Sequence, residues 1–395
     1  MRNPFAPGAG QRPPELAGRD RELDAFEIVL ERVARGRPER SLVLTGLRGV
    51  GKTVLLGELR SMAVRAGWGA GKIEARPEAD LRRPLSAALH RAIRDLAVRH
   101  PEPDRVDEVL GILKAFALRS SPEGAKLRDR WQPGIDVAVR SGRADSGDIE
   151  IDLVELFTEV ATLGADLESG IAILIDEMQD LPADDISALC AACHELSQSR
   201  APLVVVGAGL PHLPVALAAS KSYAERLFRY VVVDRLPREM ADRALLVPAG
   251  TEDVDYTAEA LDELYLLTDG YPYFVQAYGK VTWDAAVGSP IRLTDVQEAA
   301  PEAEGELAVG FFGARYERAT PAERDYMRTM ADLGADPTAP PVTTAEVARA
   351  LGRKPQSLSP AREGLIKKGL VYSAERGAVA FTVPHFGKFL RAQTG

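Results

Sequence analysis

Residues 41–53 have the sequence Ser41-Leu42-Val43-Leu44-Thr45-Gly46-Leu47-Arg48-Gly49-Val50-Gly51-Lys52-Thr53. The first five residues form a short apolar run, which is typical of a buried parallel strand. The remainder fits the spacing G-x-x-x-x-G-K-[ST], in which a glycine-rich turn leads from a strand into a helix. Because such a turn points backbone N–H groups inward, the spacing predicts a phosphate-binding loop. A chance glycine-rich turn is the alternative.

Each residue type in this loop has a chemical task. Glycines let the backbone approach phosphate oxygens where side chains would clash. Lys52 is expected to place its ammonium at the β- and γ-phosphates of ATP, which makes it a candidate catalytic residue, and Thr53 is expected to offer its hydroxyl to Mg²⁺. The predicted nucleotide-binding residues of the loop are Gly46, Leu47, Arg48, Gly49, Val50, Gly51, Lys52, Thr53 and Val54.

A second apolar run, Ile171–Ile175, is followed by Asp176 and Glu177. A carboxylate at the end of a neighbouring strand can complete a Mg²⁺ site, which is the role predicted for Asp176. Glu177 is predicted to be the general base that polarises the attacking water. An apolar strand that ends in Asp-Glu is also common for purely structural reasons.

The chain has 395 residues, enough for two or three domains. Strands that alternate with helices over the first two hundred residues predict an α/β fold with a parallel sheet. Residues 67–71 are interpreted as a turn before a strand at residues 72–75, and residues 356–368 as a single helix. The chain contains no run of 18 apolar residues, so no membrane span and no membrane partner are predicted. The N-terminus lacks the apolar region of a secretory signal. The two cysteines cannot form a disulfide framework, which fits a reducing compartment, so we expect a cytoplasmic protein.

Charge is distributed unevenly along the chain. The net charge of −9 argues against a protein that coats nucleic acid over its whole surface. Residues 321–395, however, hold 11 Lys and Arg against 7 Asp and Glu, so the rest of the chain carries −13. A basic C-terminal end on an acidic body indicates where a nucleic-acid contact should be sought.

The two motifs together resemble an AAA+ P-loop ATPase of the origin-recognition-like and STAND-type group. Glu15–Leu23 resembles the entry segment that lies beside the adenine in those families, and Leu174–Leu181 resembles their Walker B strand. The resemblance covers about residues 12–290. It implies ATP and Mg²⁺ as cofactors, a parallel-sheet P-loop (ASCE/AAA+) domain over residues 1–236 and a helical lid over residues 237–318.

The same resemblance suggests further site residues. Asp269–Phe274 resembles a Gly-x-Pro motif whose proline, here Pro272, packs near the adenine. The resemblance places Arg19 of the entry segment near the adenine as well. A plain helix start is the alternative for Gly270 and Pro272. Arg226, ahead of Arg229, stands where such ATPases carry an arginine finger, often for a neighbouring subunit's ATP, which raises the expectation of a nucleotide-dependent homo-oligomer. Surface ion pairing of both arginines, with Glu225 adjacent, is the alternative.

The sequence departs from the family pattern at two places. The third strand ends at Gly207-Ala208-Gly209, where a polar sensor residue is usual, and the sensor arginine of many AAA+ lids is missing. The first departure leaves nucleotide sensing to backbone groups or to another residue. The second favours the STAND-type side of the group.

Residues 319–395 are predicted to form a winged helix-turn-helix: three helices followed by two strands around Gly377. Thr343 and Glu346 form a capping box at the second helix. Polar and basic residues precede the wing, so residues 349–376 are predicted to contact duplex DNA; a winged helix that makes protein or autoinhibitory contacts is the alternative. The predicted contact residues are Lys354, Gln356, Ser357, Ser359, Arg362, Lys367 and Arg376.

Cys190-Ala191-Ala192-Cys193-His194 matches the C-x-x-C-H pattern of covalent haem attachment. The pattern falls within a predicted helix of a chain without an export signal, so we interpret it as helix packing and expect no metal other than Mg²⁺ with ATP or ADP. The sequence as a whole predicts an ATPase that couples its nucleotide state to DNA binding. A STAND-like signalling switch is the alternative.

Overall fold

A computed structural model describes residues 2–77, 79–99, 102–119, 134–335, 340–375 and 377–393. Its centre is a sheet of five parallel strands in the order β2-β3-β4-β1-β5. These strands are β1 (Ser41–Thr45), β2 (Gly69–Glu74), β3 (Ile171–Asp176), β4 (Leu203–Gly209) and β5 (Phe228–Val232). Every residue of β3 and of β4 is buried, as expected for central strands of a sheet that is covered on both faces.

Helices cover both faces of this sheet. Their bounds are α1 (Asp20–Ala34), α2 (Lys52–Arg65), α3 (Arg82–Arg99), α4 (Pro103–Leu118), α5 (Ile149–Asp166), α6 (Ala183–Ser199), α7 (Leu213–Ser220) and α8 (Ala224–Leu227). Alternate side chains of β1 face opposite sides of the sheet: Val43 belongs to one apolar core, while Leu42 and Leu44 belong to the other. The α/β architecture predicted from the sequence is therefore present.

A group of helices follows the sheet. These are α9 (Arg238–Gly250), α10 (Ala258–Thr268), α11 (Pro272–Ala285), α12 (Leu293–Glu306), a π-helical segment (Leu307–Gly313) and α13 (Ala314–Tyr316). The C-terminal elements are α14 (Pro321–Asp332), β6 (Val342–Thr343), α15 (Thr344–Ala350), a 3-10 turn (Pro355–Leu358), α16 (Ser359–Lys367), β7 (Val371–Glu375), β8 (Ala378–Phe381) and α17 (Phe386–Ala392). The three C-terminal strands pair antiparallel in the order β6-β8-β7.

One apolar core joins these parts of the chain. The core on the Leu42 and Leu44 side of the sheet continues without a break through Phe274 of α11 to Tyr326 of α14 and Phe386 of α17. The C-terminal elements are therefore packed against the rest of the protein and are not held by a linker alone. Among the described residues, no helix combines the length and the apolar composition that crossing a membrane requires.

The structure corrects three sequence-based interpretations of secondary structure. Gly69 to Gly71, interpreted as a turn, begin strand β2, because α3 packs so closely that a Cβ atom at Gly69 would lie 2.6 Å from the Ala92 carbonyl oxygen. Phe228–Val232 was not predicted as a strand but forms the sheet edge. The single predicted helix over residues 356–368 is a 3-10 turn followed by α16.

Candidate nucleotide-binding site

The glycine-rich loop connects β1 to α2. Gly49 and Gly51 have φ angles of +90° and +93°, in the region that side chains rarely adopt, which explains why glycine stands at both positions. The Nζ atom of Lys52 donates hydrogen bonds to the carbonyl oxygens of Gly46 at 2.8 Å and Leu47 at 2.7 Å. The ammonium of Lys52 is therefore held under its own loop.

Lys52 is buried, and burial lowers the pKa of its ammonium to about 8. The carboxylates of Glu177 and Asp176 act in the opposite direction, while the guanidinium of Arg48 lowers the pKa as burial does. Burial of a cation costs free energy, so the buried Lys52 ammonium does not serve stability by itself. It is well suited to an anionic ligand.

The two predicted carboxylates lie at the end of β3, and β4 separates this strand from β1. Parallel strands end at the same edge of a sheet, so Asp176 and Glu177 lie beside the loop that follows β1. Asp176 is buried, and the Lys72 ammonium lies 3.7 Å from its Oδ2 atom. Lys72 Nζ also donates to the carbonyl oxygen of Thr53 at 3.1 Å, so this side chain, which the sequence did not single out, links the two predicted metal ligands.

A cavity of about 520 Å³ opens at this edge of the sheet. It brings together most residues predicted from the sequence: Arg48, Gly49, Val50, Gly51, Lys52, Thr53, Val54, Asp176, Glu177, Arg19 and Pro272. Thr53, Asp176, Glu177 and Glu74 also line it, and their side chains carry the oxygen donors that Mg²⁺ prefers. Backbone glycines, a buried lysine and these oxygens fit a nucleotide with its magnesium ion.

Arg19 has a supporting position at the cavity. Its buried guanidinium donates to the carbonyl oxygens of Val50 at 3.0 Å and Asp234 at 2.6 Å, and burial lowers the pKa of Arg19. It thereby ties the phosphate loop to the segment after β5. Pro272 is the first residue of α11, and the N–H of the next residue, Tyr273, lies 3.4 Å from the Gly49 carbonyl oxygen.

The N-terminal arm, residues 2–13, contributes to the wall of the cavity. Phe5 is buried against Gly279 and Trp283 of α11, and Asn3 donates to the Lys280 carbonyl oxygen at 2.9 Å. Further along, Gly10 lies against the Thr53 side chain, and Arg12 pairs with Glu58 of α2 at 3.3 Å. The arm is thus attached on both sides of the cavity, and residues 6–11 form part of its lining.

The side chain of Gln179 occupies the space beside the end of β4. A Cβ atom at Gly209 would lie 2.5 Å from Gln179 Oε1, so the glutamine amide fills the space beside the end of β4. Its Nε2 atom donates to Glu177 Oε2 at 2.8 Å, and its Oε1 atom accepts from the Leu210 N–H at 3.1 Å. The glycine at 209 was the only sequence signal for this arrangement.

Two residues at the end of the helical group also reach the cavity. Phe311 stacks on Tyr273 with ring centroids 4.8 Å apart, and Arg315 lies over the Phe311 ring at 4.1 Å. Both line the cavity. Burial lowers the pKa of Arg315 to about 10, and the nearby guanidinium of Arg48 acts in the same direction. No motif in the sequence marked these residues.

The structure does not bring Arg226 to this cavity. Arg226 belongs to α8, just before Phe228, which pairs with Ser41 at the start of β1. The phosphate loop follows the other end of β1, so Arg226 and the loop lie at opposite ends of the sheet. Arg226 is exposed and lines a separate cleft with Arg37 and Arg40. An arginine finger at this position could act only on the nucleotide of another subunit.

The predicted DNA-contact residues lie on the C-terminal surface. Lys354, Gln356, Ser357, Ser359 and Lys367 are exposed. Arg362 is half-buried and donates to the Ser373 hydroxyl at 3.1 Å, so it supports the strand β7 more than it faces solvent. Arg376 lies outside the described residues. Cys190 and Cys193 are both buried, unpaired thiols in α6, which agrees with a packing role.

Residues 15–206 match the family model described as AAA ATPase domain, and residues 309–390 match a domain of unknown function (DUF8462). No curated protein has a matching sequence. Among solved structures, the chain is similar to a Walker-type ATPase of Pyrococcus abyssi at 17% identity and a TM-score of 0.60, over 96% of this chain and 97% of that one, which shows a shared fold.

Two weaker likenesses have TM-scores of 0.44. One is to the RuvB Holliday junction branch migration motor of Thermotoga maritima, at 16% identity over 94% of this chain and 96% of that one. The other is to the ORC1 protein of Aeropyrum pernix in complex with DNA, at 15% identity over 96% and 94%. The family match to residues 15–206 covers the phosphate loop, strands β1 to β3 and the first part of β4. The match of residues 15–206 to an AAA ATPase domain supports ATP hydrolase activity.

Proposed function

We propose that this protein is a magnesium-dependent ATPase switch in which a C-terminal winged helix responds to the nucleotide. The observation that carries the proposal is the backbone hydrogen bond from the N–H of Arg48, in the phosphate loop, to the carbonyl oxygen of Thr382, at 2.9 Å. Because the loop contacts the C-terminal elements, a change of loop conformation on nucleotide binding would alter how these elements are docked.

The roles that we propose for the site follow from chemistry and position. Lys52 and the backbone N–H groups of Gly49 and Gly51 bind the phosphates. Thr53 and Asp176 hold Mg²⁺, which neutralises phosphate charge when bound. Glu177 accepts a proton from the attacking water. Gln179 takes over the sensor position, because it joins Glu177 to the end of β4.

We further propose three structural units: the nucleotide domain over residues 1–236, the lid over residues 237–318 and the winged helix over residues 319–395. The helices α14, α15 and α16, followed by the β7–β8 hairpin, support the last of these. Exposed Lys354 and Gln356 precede α16, so duplex DNA is the partner that we propose for residues 349–376. An arginine finger role for Arg226 implies a homo-oligomer, since this residue cannot reach its own nucleotide.

A signalling switch is the second candidate. The same contact between Arg48 and Thr382 favours it, because a C-terminal unit that is docked on the phosphate loop resembles an intramolecular restraint more than a free DNA-binding module. Steady-state ATP turnover with and without duplex DNA separates the two candidates. Stimulation by DNA supports the first, whereas turnover that is identical with DNA up to saturating concentrations, together with no salt-dependent DNA binding, contradicts it.

A further inference from the structure

The carboxylate of Glu177 is held from two sides. Its Oε1 atom accepts a hydrogen bond from Arg48 Nη1 at 2.9 Å, and its Oε2 atom accepts one from Gln179 Nε2 at 2.8 Å. The backbone of Glu177 has a φ angle of +50°, an unusual conformation for a residue with a side chain. Surrounding contacts must therefore fix this residue, and each oxygen of the proposed base already has a partner.

The two partners lead to different parts of the molecule. Gln179 connects Glu177 to the N–H of Leu210 at the end of β4, within the ATPase domain. Arg48 instead connects Glu177 to the C-terminal elements. Its N–H bonds to the Thr382 carbonyl oxygen, and its guanidinium packs on Gly369, where a Cβ atom would lie only 2.6 Å from Nη2.

Gly369 and Thr382 form one cradle for Arg48. The Thr382 hydroxyl donates to the Gly369 carbonyl oxygen at 2.7 Å, which joins the end of β8 to the turn before β7. Gly369 has a φ angle of +63°, so glycine is favoured there by its backbone as well as by the space that the guanidinium takes. Gly369 and Thr382 thus form a binding site for the Arg48 side chain and backbone N–H.

Arg48 also belongs to the loop that binds phosphate, and it lines the same cavity as Lys52. Arg315 is a second guanidinium in that cavity. A γ-phosphate brings about two negative charges to this place, and a guanidinium pairs with phosphate as readily as with carboxylate. The γ-phosphate and the Glu177 carboxylate therefore compete for the guanidinium of Arg48.

We infer that Arg48 is a positioning residue that couples Glu177 to the docking of the C-terminal unit. In the docked form Arg48 holds Glu177 and sits in the Gly369–Thr382 cradle. When a triphosphate draws the guanidinium away, Glu177 loses one partner and the cradle loses its ligand, so the C-terminal unit loosens. This inference rests on the proposed function and names the group through which it acts.

Spin labels test the inference on the full chain. Both native cysteines are buried, so labels can be attached at Glu27→Cys on α1 and Glu363→Cys on α16, two exposed positions. Pulsed electron resonance then measures the distance between the ATPase domain and the C-terminal unit. We expect a narrow distribution without nucleotide and with Mg·ADP. With a magnesium complex of a non-hydrolysable ATP analogue, we expect a broader or longer one.

Two variants make the test specific. Arg48→Ala should give the broad distribution without nucleotide, and the ATP analogue should change it no further. Arg37→Ala removes an exposed arginine in the separate cleft at the far end of the sheet and leaves the cradle intact, so it should keep the response to the analogue. The inference is overturned if Mg·ADP and the analogue give the same distribution in the parent chain, or if Arg48→Ala keeps the response.

The outcome can be separated from a failure of the proposed function. Calorimetry on the same labelled protein reports whether nucleotide binds at all. If it does not bind, the proposed function fails, and the comparison of the parent chain with Arg48→Ala in the absence of nucleotide still tests the contact. If nucleotide binds without any change in distance, the proposed site stands and the role of Arg48 is refuted.

Discussion

The ring of Phe5 packs edge-on against the indole of Trp283, with ring centroids 6.0 Å apart. Residue 5 is near the start of the chain, and Trp283 lies in α11, whose first residue, Pro272, lines the nucleotide cavity. The pair fixes one end of the N-terminal arm, and the contacts of Gly10 and Arg12 with α2 fix the other. The arm therefore forms one wall of the nucleotide cavity and is held at both ends.

Replacement of Phe5 by Ala should accelerate nucleotide release. Loss of the buried ring frees one end of the arm, so we expect the dissociation rate of a fluorescent ADP to rise by about tenfold, which corresponds to about 1.4 kcal/mol. Stopped-flow displacement measures this rate. Arg2→Ala, at an exposed position of the same arm, serves as the control. Equal rates for the parent chain and Phe5→Ala would show that the arm does not gate the cavity.

Nucleotide affinity should fall as the pH rises above about 8. Burial lowers the pKa of Lys52 to about 8 in the structure, and bound phosphate would favour the charged ammonium, so binding at higher pH must take up a proton. We expect the affinity to drop by roughly tenfold for each pH unit above 8. Calorimetry between pH 7 and 9.5 tests this. A guanidinium stays charged, so Lys52→Arg should flatten the profile; an equally flat profile in the parent chain would contradict the prediction.

Glu177→Gln should separate binding from hydrolysis. The amide keeps the size of the side chain but cannot accept a proton from water, so turnover should fall by at least about 100-fold. Affinity for a non-hydrolysable ATP analogue should not fall, since the phosphate loop is unchanged and the charged carboxylate no longer competes for Arg48. Asp184→Asn removes a nearby exposed charge at the start of α6 and controls for electrostatic effects. Turnover that survives in Glu177→Gln would assign the base to another group.

The buried ion pair between Arg82 and Asp152, with 2.8 Å between Nη2 and Oδ2, should be a large contributor to stability. Asp152→Ala leaves the Arg82 guanidinium buried without its partner, which costs about 3–5 kcal/mol. Urea unfolding at pH 7 measures the loss, and Asp95→Ala on the exposed face of α3 should change little. A loss below 1 kcal/mol would mean that water or another group replaces the carboxylate.

The same pair should make stability depend on acidity. Burial would raise the pKa of Asp152, but hydrogen bonds from Ser146 and Arg82 outweigh it and leave the pKa below its ordinary value. A lowered pKa in the folded state means that the contribution is complete above the unfolded-state pKa of about 3.9 and is lost as the pH falls below it. In Asp152→Ala this part of the acid dependence should disappear.

Lys354→Ala tests the proposed DNA contact. An exposed lysine that touches a phosphate releases about one counterion, so its removal should reduce the slope of log affinity against log salt by about 1. Fluorescence anisotropy with a labelled duplex at several salt concentrations gives this slope. Arg37→Ala also removes one positive charge, but at the end of the sheet opposite the phosphate loop, so it should leave the slope unchanged. If both variants behave alike, the DNA contact is not at residues 349–376.

The sequence predicted the parts of this structure that depend on local spacing. Lys52 and Thr53 follow glycines at fixed positions, and Asp176 ends an apolar strand. Because neighbouring parallel strands end at the same edge of a sheet, the sequence could predict that these residues lie close together. Gln179 and Arg315 depend on something else. Gln179 meets the end of β4 only because Gly209 leaves room for its amide, and Arg315 lines the cavity although it lies far along the chain from the phosphate loop, so local spacing encodes neither meeting.

The elements that were missed have similar causes. Strand β5 is an edge strand whose residues are mostly half-buried or exposed, so it lacks the apolar run that marks β3 and β4. The glycines of β2 suggested a turn, whereas they are small because α3 packs closely on the strand. Arg226 was placed by resemblance to a motif, and the resemblance did not reveal at which end of the sheet the residue lies.

The apolar core that runs from β1 through α11 to α17 has a consequence for how the chain can be divided. The family match to the ATPase domain ends at residue 206, but the packing does not end there, because Leu44 and Val206 share one core with Phe274 and Phe386. A fragment cut at that boundary would expose a broad apolar surface and should aggregate. Modular exchange of the C-terminal part between related proteins would therefore require matching changes on the sheet beneath it.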